Sequence, residues 1–201
     1  MPPITQALLI ANVAIFLLQE VAGNMLIYYF ALWPLNTPPF LPSFQVWQLI
    51  SYAFLHGSLM HLAFNMYGVY MFGSAVERVL GPRRYLALYF GSALSAGAMQ
   101  LIVTASLGST APTVGASGAL FGLLVACAMY FPTATLQLII PPMPIQMRWF
   151  VILYGGIELY LGVTGTTSGI AHFAHLGGLL GGWLLVRNWR GQPPFGRRRL
   201  R

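Results

Sequence analysis

The sequence predicts an all-α, polytopic membrane protein, a bundle of six transmembrane helices. Three observations predict it. The 201-residue chain is 57% hydrophobic and only 6% charged, with a mean hydropathy of +0.71, whereas a soluble domain carries about 25% charged residues. Six apolar stretches are long enough, or nearly so, to cross a hydrocarbon core of about 30 Å. The ten basic residues are all arginine and sit at the ends of those stretches. That is a pattern of membrane orientation, so the net charge of +7 points to a lipid bilayer and not to nucleic acid.

The elements follow in order. The first helix covers about 5–30; the N-terminus lacks a basic n-region and a convincing cleavage site, so it is read as a retained helix and not a signal peptide. Segment 32–47 holds Pro34, Pro38, Pro39 and Pro42 and cannot be a regular helix. It is also too apolar for a solvated loop, and is predicted to lie at the interface with Trp33 and Trp47. The second helix covers about 48–80, too long for one straight span, so it is bent or entered late. Gly81-Pro82 ends it. The third covers 85–107. The fourth covers 117–131 and stops at Pro132. A loop with Pro141, Pro142 and Pro144 leads to the fifth, 147–163. A short turn over 165–169 precedes the sixth, 170–186, and a polar tail runs over 187–201. The whole of 1–201 reads as one membrane domain.

With the N-terminus inside, Arg78, Arg83 and Arg84 fall in or beside one inner loop and Arg148 beside the next. Arg187, Arg190, Arg197, Arg198, Arg199 and Arg201 fall in the tail, and the outer loops hold none. Both termini are therefore expected in the cytoplasm, and the entry to the fourth helix faces out. That helix, at about 15 residues, reaches only about 22 Å. Its first residue, Ser117, is expected below the outer surface, in a pit that water reaches.

Ser117 lies between Gly115 and Gly118. A serine at a helix start has free backbone N–H groups beside it, which can hold developing negative charge; the alternative is a plain helix cap. A serine nucleophile needs a base. His56, His61, His172 and His175 all lie on the same side, and ionisable groups at membrane depth are functional candidates. Counting back to the inner end at 1.5 Å per residue puts His175 at about 18 Å, Ser117 at about 22 Å and His61 at about 25 Å, so the three can share a layer. The residues alone leave His172 and His175 both open as the base.

Gly118-x-x-x-Gly122 on the fourth helix, with Gly177-x-x-x-Gly181 and Gly178-x-x-x-Gly182 on the sixth, allows close helix approach. Gly178 and Gly182 share the face of His175. Phe121, four residues after Ser117, is placed to pack on an imidazole. His61 and Asn65 share a face of the second helix and, with the Ser117 N–H, can donate to an oxyanion. An interhelical polar clamp is the alternative.

Absences narrow the chemistry. There is no aspartate, which excludes both a Ser-His-Asp triad and an aspartyl protease pair, and there is no H-E-x-x-H zinc motif. No metal and no cofactor is expected. Glu77 lies at an inner helix end, and Glu20 and Glu158 lie on other helices, so all three are poorly placed to complete a triad, and Glu20 and Glu158 are left without a functional role. Any serine chemistry is then a Ser-His dyad. Cys127 is alone, which rules out an internal disulfide.

His56-x4-His61-x3-Asn65, Gly73-x3-Glu77-x3-Gly81, Gly115-Ala116-Ser117-Gly118 and Ala174-His175-x-x-Gly178-x3-Gly182 occur in this order. In that ordered set the chain resembles the rhomboid intramembrane serine proteases over essentially its whole length. The resemblance implies a minimal six-helix rhomboid-like bundle of bacterial type, cleaving transmembrane protein substrates; the all-arginine, lysine-free composition of this minimal form suggests a bacterial plasma membrane. It implies Ser117 as nucleophile and His175, in preference to His172, as general base. It implies His61, Asn65 and the Ser117 N–H as the oxyanion hole, His56 as a structural histidine, and helix five with the 165–169 cap as the substrate gate. Two positions depart from the family pattern: Phe121 where tyrosine is frequent, and Gln48 where arginine follows the tryptophan. A catalytically inactive rhomboid-like binder is the alternative function; a channel or transporter fits less well, since the halves show no repeat. Nothing in the sequence sets the oligomeric state.

Overall fold

The computed structural model describes residues 1–138, 141–164 and 169–192. It is mostly helical. Helix α1 (Pro3–Ala22) and the short α2 (Asn24–Phe30) replace the single helix expected over 5–30. They part at Gly23, whose φ of +59° suits a residue without Cβ.

The stretch expected as one helix over 48–80 is broken further. It starts with α3 (Gln48–Ser51) and a 3₁₀ turn (Tyr52–Phe54). A non-helical link follows, and α4 (Leu59–Gly68) begins at Ser58, whose hydroxyl accepts the His61 N–H at 3.1 Å as an N-cap. His56 therefore sits in the link and not on a helix. A π-helical turn (Val69–Gly73) carries α4 into α5 (Ser74–Leu107). At Gly81 (φ +72°, ψ 168°) the chain changes direction, with Pro82 next, so 82–107 forms a separate long helix.

Helix α6 (Ser117–Tyr130) holds the candidate serine at its first position. Two short strands, β1 (Thr135–Gln137) and β2 (Pro144–Gln146), pair antiparallel where only a proline-rich loop was expected. Helices α7 (Met147–Thr164) and α8 (Gly169–Trp189) complete the fold. Most of the turn expected over 165–169, and the tail from 193, lie outside the described residues. Among the described residues, Pro3–Ala22 and Leu59–Leu107 are long and apolar enough to cross a membrane, while Ser117–Tyr130 is apolar but shorter.

Helix α8 packs against α5, α6 and α7, and its interleaved glycine pairs divide the first two contacts. A Cβ on Gly178 would run into the Gly118 carbonyl, and one on Gly182 would lie 2.7 Å from Gly122 Cα. On the adjacent stripe, a Cβ on Gly177 would lie 2.8 Å from the Ser95 carbonyl of α5, and one on Gly181 would lie 2.5 Å from Ser95 Cβ. One glycine pair thus lets α6 approach and the other lets α5 approach. Ser95 Oγ closes the second contact by donating to the Gly177 carbonyl at 2.7 Å.

Beside the apolar core, several polar residues are buried and many large apolar ones are exposed. Thr5, Asn12, Ser92, Gln100 and Glu158 are buried, while Ile10, Leu17, Val21, Phe64, Ile102 and Val163 are exposed. Apolar surface of that extent on the helix exteriors is suited to lipid. Among the described residues, Arg84, Arg148 and Arg190 lie at the end opposite Ser117. Arg190 donates to the Met129 carbonyl near the end of α6 at 3.0 Å and lies over Tyr130, while Arg84 lies over Trp189.

The segment leading into α6 is held on two sides. Leu32 and Thr113 exchange backbone hydrogen bonds at 3.0 and 2.9 Å, and Gly115 N donates to the Tyr52 carbonyl at 2.9 Å. The Tyr52 hydroxyl donates in turn to the Ala93 carbonyl at 2.7 Å. Gln48, the departure noted above, braces the 32–47 segment with its amide: Oε1 accepts from Trp33 N and Gln45 N, and Nε2 donates to the Tyr29 carbonyl.

Candidate active site

Ser117 is the first residue of α6, so its N–H has no acceptor within the helix. Its Oγ lies 2.8 Å from Nε2 of His175 on α8. Phe121, one turn along α6, lies flat on the same imidazole with centroids 4.4 Å apart and planes within 8°. Tyr154 of α7 packs on Phe121 with centroids 4.9 Å apart. The His175 ring is thus fixed by one hydrogen bond and one stacked face.

His61 and Asn65 line the same cavity of about 400 Å³, together with Ser117, Phe121 and His175. His61 Nδ1 accepts the Gly57 N–H at 3.4 Å, which leaves Nε2 as its N–H donor. That nitrogen lies against Gly115, where an added Cβ would sit 2.8 Å from it and 3.7 Å from Ser117 Oγ. Gly115, at φ +126°, both adopts a backbone that favours glycine and leaves the space between serine and histidine open. Asn65 Nδ2 donates one hydrogen to the His61 carbonyl at 2.9 Å. Its second N–H is available to the cavity.

His56 is buried and lies edge-to-face with His61, centroids 5.1 Å apart. Its backbone N–H and carbonyl are both held by the side chain of Gln19 on α1, at 3.0 and 3.1 Å. Gly118, Gly178 and Gly182 lie at the α6–α8 contact already described. Ser117, His175, His61, Asn65 and Phe121 thus line one cavity, with His56 behind His61, Gly115 on the segment before α6, and Gly182 further along the α6–α8 contact.

One residue left without a functional role belongs with them. Glu158, on α7, was expected away from the histidines. Its Oε2 instead lies 2.9 Å from His175 Nδ1 and also takes His172 Nδ1 as a short partner. Its burial is accounted for by these two contacts. With Ser117 Oγ donating to Nε2, His175 carries its proton on Nδ1, the tautomer that Glu158 accepts. The contact was discoverable: Glu158 is eleven residues past Met147, about 17 Å from the inner end, the depth reached by His175 on the same count. Glu158, His172 and His175 each offer one ligand atom, all within 4.8 Å of one another, a set that would also suit a zinc ion.

Comparison with known proteins assigns the family. The family model described as the Rhomboid domain matches residues 43–189. The chain belongs to the rhomboid family. Rhomboid protease GlpG of Yersinia pestis (strain Pestoides F) is 32% identical over 187 residues, which cover 92% of this chain and 62% of the relative. Rhomboid protease GlpG of Serratia proteamaculans (strain 568) is 28% identical over 184 residues with the same coverage. The chain thus spans 62% of the length of these rhomboid relatives. The match embraces Ser117, His175, His61, Asn65 and Glu158 alike, since all lie within 43–189. Rhomboid family proteins are integral membrane proteins, which accounts for the apolar exterior.

Proposed function

We propose that this rhomboid is an intramembrane serine endopeptidase that cleaves transmembrane protein substrates. The observation that carries the reading is the 2.8 Å contact between Ser117 Oγ and His175 Nε2 at a helix N-terminus opening on a cavity.

The chemistry follows from the groups present. A substrate segment unwinds from the lipid into the cavity. Ser117 Oγ attacks the scissile carbonyl carbon and His175 Nε2 takes the hydroxyl proton. The carbonyl oxygen becomes an oxyanion and accepts from the Ser117 N–H, the His61 Nε2–H and the second Asn65 N–H. His175 then gives its proton to the leaving amine, the C–N bond breaks, and an acyl-enzyme remains. Water, deprotonated by the same imidazole, hydrolyses the ester. Phe121 keeps the ring in plane through both transfers. Gly115 leaves room for the substrate carbonyl between Ser117 and His61.

The proposed frame for this chemistry is a single six-span domain. The arginine end lies in the cytoplasm with both termini, and the cavity opens on the outer side of a bacterial plasma membrane. The clustering of Arg84, Arg148 and Arg190 away from Ser117 supports that orientation. Water reaches Ser117 from the outer side, and substrate enters from the lipid between α4 and α7, whose Phe64 and Phe150 line the cavity.

The test is labelling by a fluorophosphonate serine probe in detergent, wild type beside Ser117→Ala and His175→Ala. Wild type labels at Ser117 and both variants do not. A folded wild type that stays unlabelled overturns the protease reading in favour of a catalytically inactive membrane-protein binder.

A further inference from the structure

We propose that Glu158 is the positioning residue of a Ser117–His175–Glu158 triad, holding the imidazole in the tautomer and orientation that the serine requires. The inference rests on the protease reading and adds a third group to what the sequence alone resolves as a dyad.

Three observations converge on it. The carboxylate oxygen lies 2.9 Å from Nδ1 of the same ring whose Nε2 meets Ser117 at 2.8 Å. The three groups form one unbroken line from α6 through α8 to α7. Glu158 is only 4% exposed, so this hydrogen bond is shielded from competing water. The carboxylate is itself held, because His172, one turn before His175 on α8, reaches the same Oε2. A glutamate serving only to tie α7 to α8 needs one histidine. This one takes two, and one of them is the imidazole on Ser117.

The proton balance is closed. In the resting site Nδ1 bears the hydrogen and donates it to Glu158, so the Nε2 lone pair faces Ser117. On attack, the Ser117 proton moves to Nε2 and the ring becomes an imidazolium. Its Nδ1 hydrogen stays on the ring, where the Glu158 carboxylate stabilises the new charge without taking the proton. When the C–N bond breaks, the Nε2 proton passes to the amine and the ring returns to its first state. Glu158 begins and ends ionised, and no other reactant enters.

The same carboxylate restricts the ring from behind while Phe121 restricts it from the face. The other tautomer, with hydrogen on Nε2, would turn a lone pair toward the carboxylate and a hydrogen toward Ser117 Oγ. The acceptor that the serine needs would then be lost.

The experiment uses the full chain in detergent, with active-site titration setting the folded, active concentration. Glu158→Gln keeps the shape and a hydrogen-bonding amide but removes the charge. The expected result is a fall in kcat of about 10²–10⁴-fold, the range of general-base assistance, with KM changed by less than about 3-fold because the residue does not touch substrate. The fluorophosphonate labelling rate falls in parallel, and Glu158→Asp, which keeps the charge, stands above Glu158→Gln in both. A carboxylate that merely joins α7 to α8 predicts a lowered unfolding temperature at unchanged kcat. That outcome, with wild type still labelled at Ser117, overturns the triad and leaves the protease reading intact. An unlabelled wild type removes the protease reading itself. Loss of wild-type activity on EDTA treatment, with recovery on zinc, would assign Glu158, His172 and His175 to an ion and also overturns the triad. If Glu158→Gln does not fold, ¹⁵N-histidine NMR of the wild type decides. A far-downfield Nδ1–H resonance that vanishes in His175→Ala supports the triad, and its absence from the wild type overturns it.

Discussion

Phe121 and His175 lie face to face, with ring centroids 4.4 Å apart and planes within 8°. The stack joins α6 to α8 one turn below the serine and uses only the ring, since phenylalanine has no hydroxyl. In the proposed mechanism its contribution lies in holding the imidazole on its path between Ser117 and the leaving amine. Such aromatic contacts are worth about 0.5–1.5 kcal/mol. Phe121→Ala is therefore expected to lower kcat by about 2- to 10-fold, and Phe121→Leu by less, with Ser117 still labelled by the fluorophosphonate probe. Steady-state cleavage of a fluorogenic transmembrane peptide in proteoliposomes measures it; equal kcat in all three proteins would refute the ring-holding role.

The two α4 side chains separate by their resting partners. His61 presents Nε2–H beside Ser117, while Asn65 already spends one amide hydrogen on the His61 carbonyl. Removing an oxyanion donor costs about 10²–10³ in kcat. His61→Ala and Asn65→Ala are each expected in that range, with KM nearly unchanged because the donors act on the transition state. The double variant is expected to lose less than the product of the two, because both donors serve one oxygen. Fully multiplicative losses in a cleavage assay would indicate that the two act at separate points.

Much of this site is legible in the sequence because it rests on local spacing. His61 and Asn65 four apart, Phe121 four after Ser117, and glycines three and seven after His175 are all helix-face relations that hold whatever the neighbouring helices do. Glu158 escapes for the opposite reason. It meets His175 across two helices joined by the segment around 165–169, and no spacing rule fixes how α7 turns against α8. Only the depth count could have raised it. The break at Gly23 was also hidden, since residues on either side are equally apolar. The interrupted entry to α4 is different: the 48–80 stretch was too long for one span, and Ser58 marks where the helix proper starts. The β1–β2 ribbon forms in the proline-rich loop between α6 and α7, where the sequence carries no alternation long enough to announce strands.

The α6–α8 contact predicts a coupled loss. A Cβ on Gly178 meets the Gly118 carbonyl, directly after Ser117 in the chain. Gly178→Ala therefore pushes apart the two helices that carry Ser117 and His175. Overpacking of this kind costs about 1–3 kcal/mol, and misplacement of reacting groups by about 1 Å costs about 10²-fold in rate. The variant is expected to unfold earlier and to cleave at least tenfold more slowly. Gly156→Ala, on α7 with nothing within 4 Å of its added methyl, is expected to match wild type in both. Thermal unfolding and cleavage measured on the same detergent samples test the pair, and a normally active Gly178→Ala would show that the helices have slack.

At the other end of the molecule, Glu77 supplies a cap that α1 lacks. Helix α1 opens with Pro3 and no side-chain cap of its own. The Glu77 carboxylate, on α5, accepts from Ile4 N at 2.9 Å, from Thr5 N at 2.7 Å and from Thr5 Oγ1 at 2.6 Å. A buried negative charge facing the first-turn N–H groups satisfies those donors and complements the helix dipole. Hydrogen bonds to a charged group contribute about 1.5–3 kcal/mol each, and the amide of Glu77→Gln keeps one acceptor oxygen while turning an N–H toward donors. Glu77→Gln is expected to destabilise the fold by about 2 kcal/mol, with Glu77→Ala worse, because α1 loses its anchor to α5. Neither touches the Ser117 cavity, so kcat per folded molecule stays near wild type. Unfolding by SDS titration reads the first effect and active-site-titrated cleavage reads the second. Stability equal to wild type in Glu77→Ala would mean that α1 is held by its apolar contacts alone.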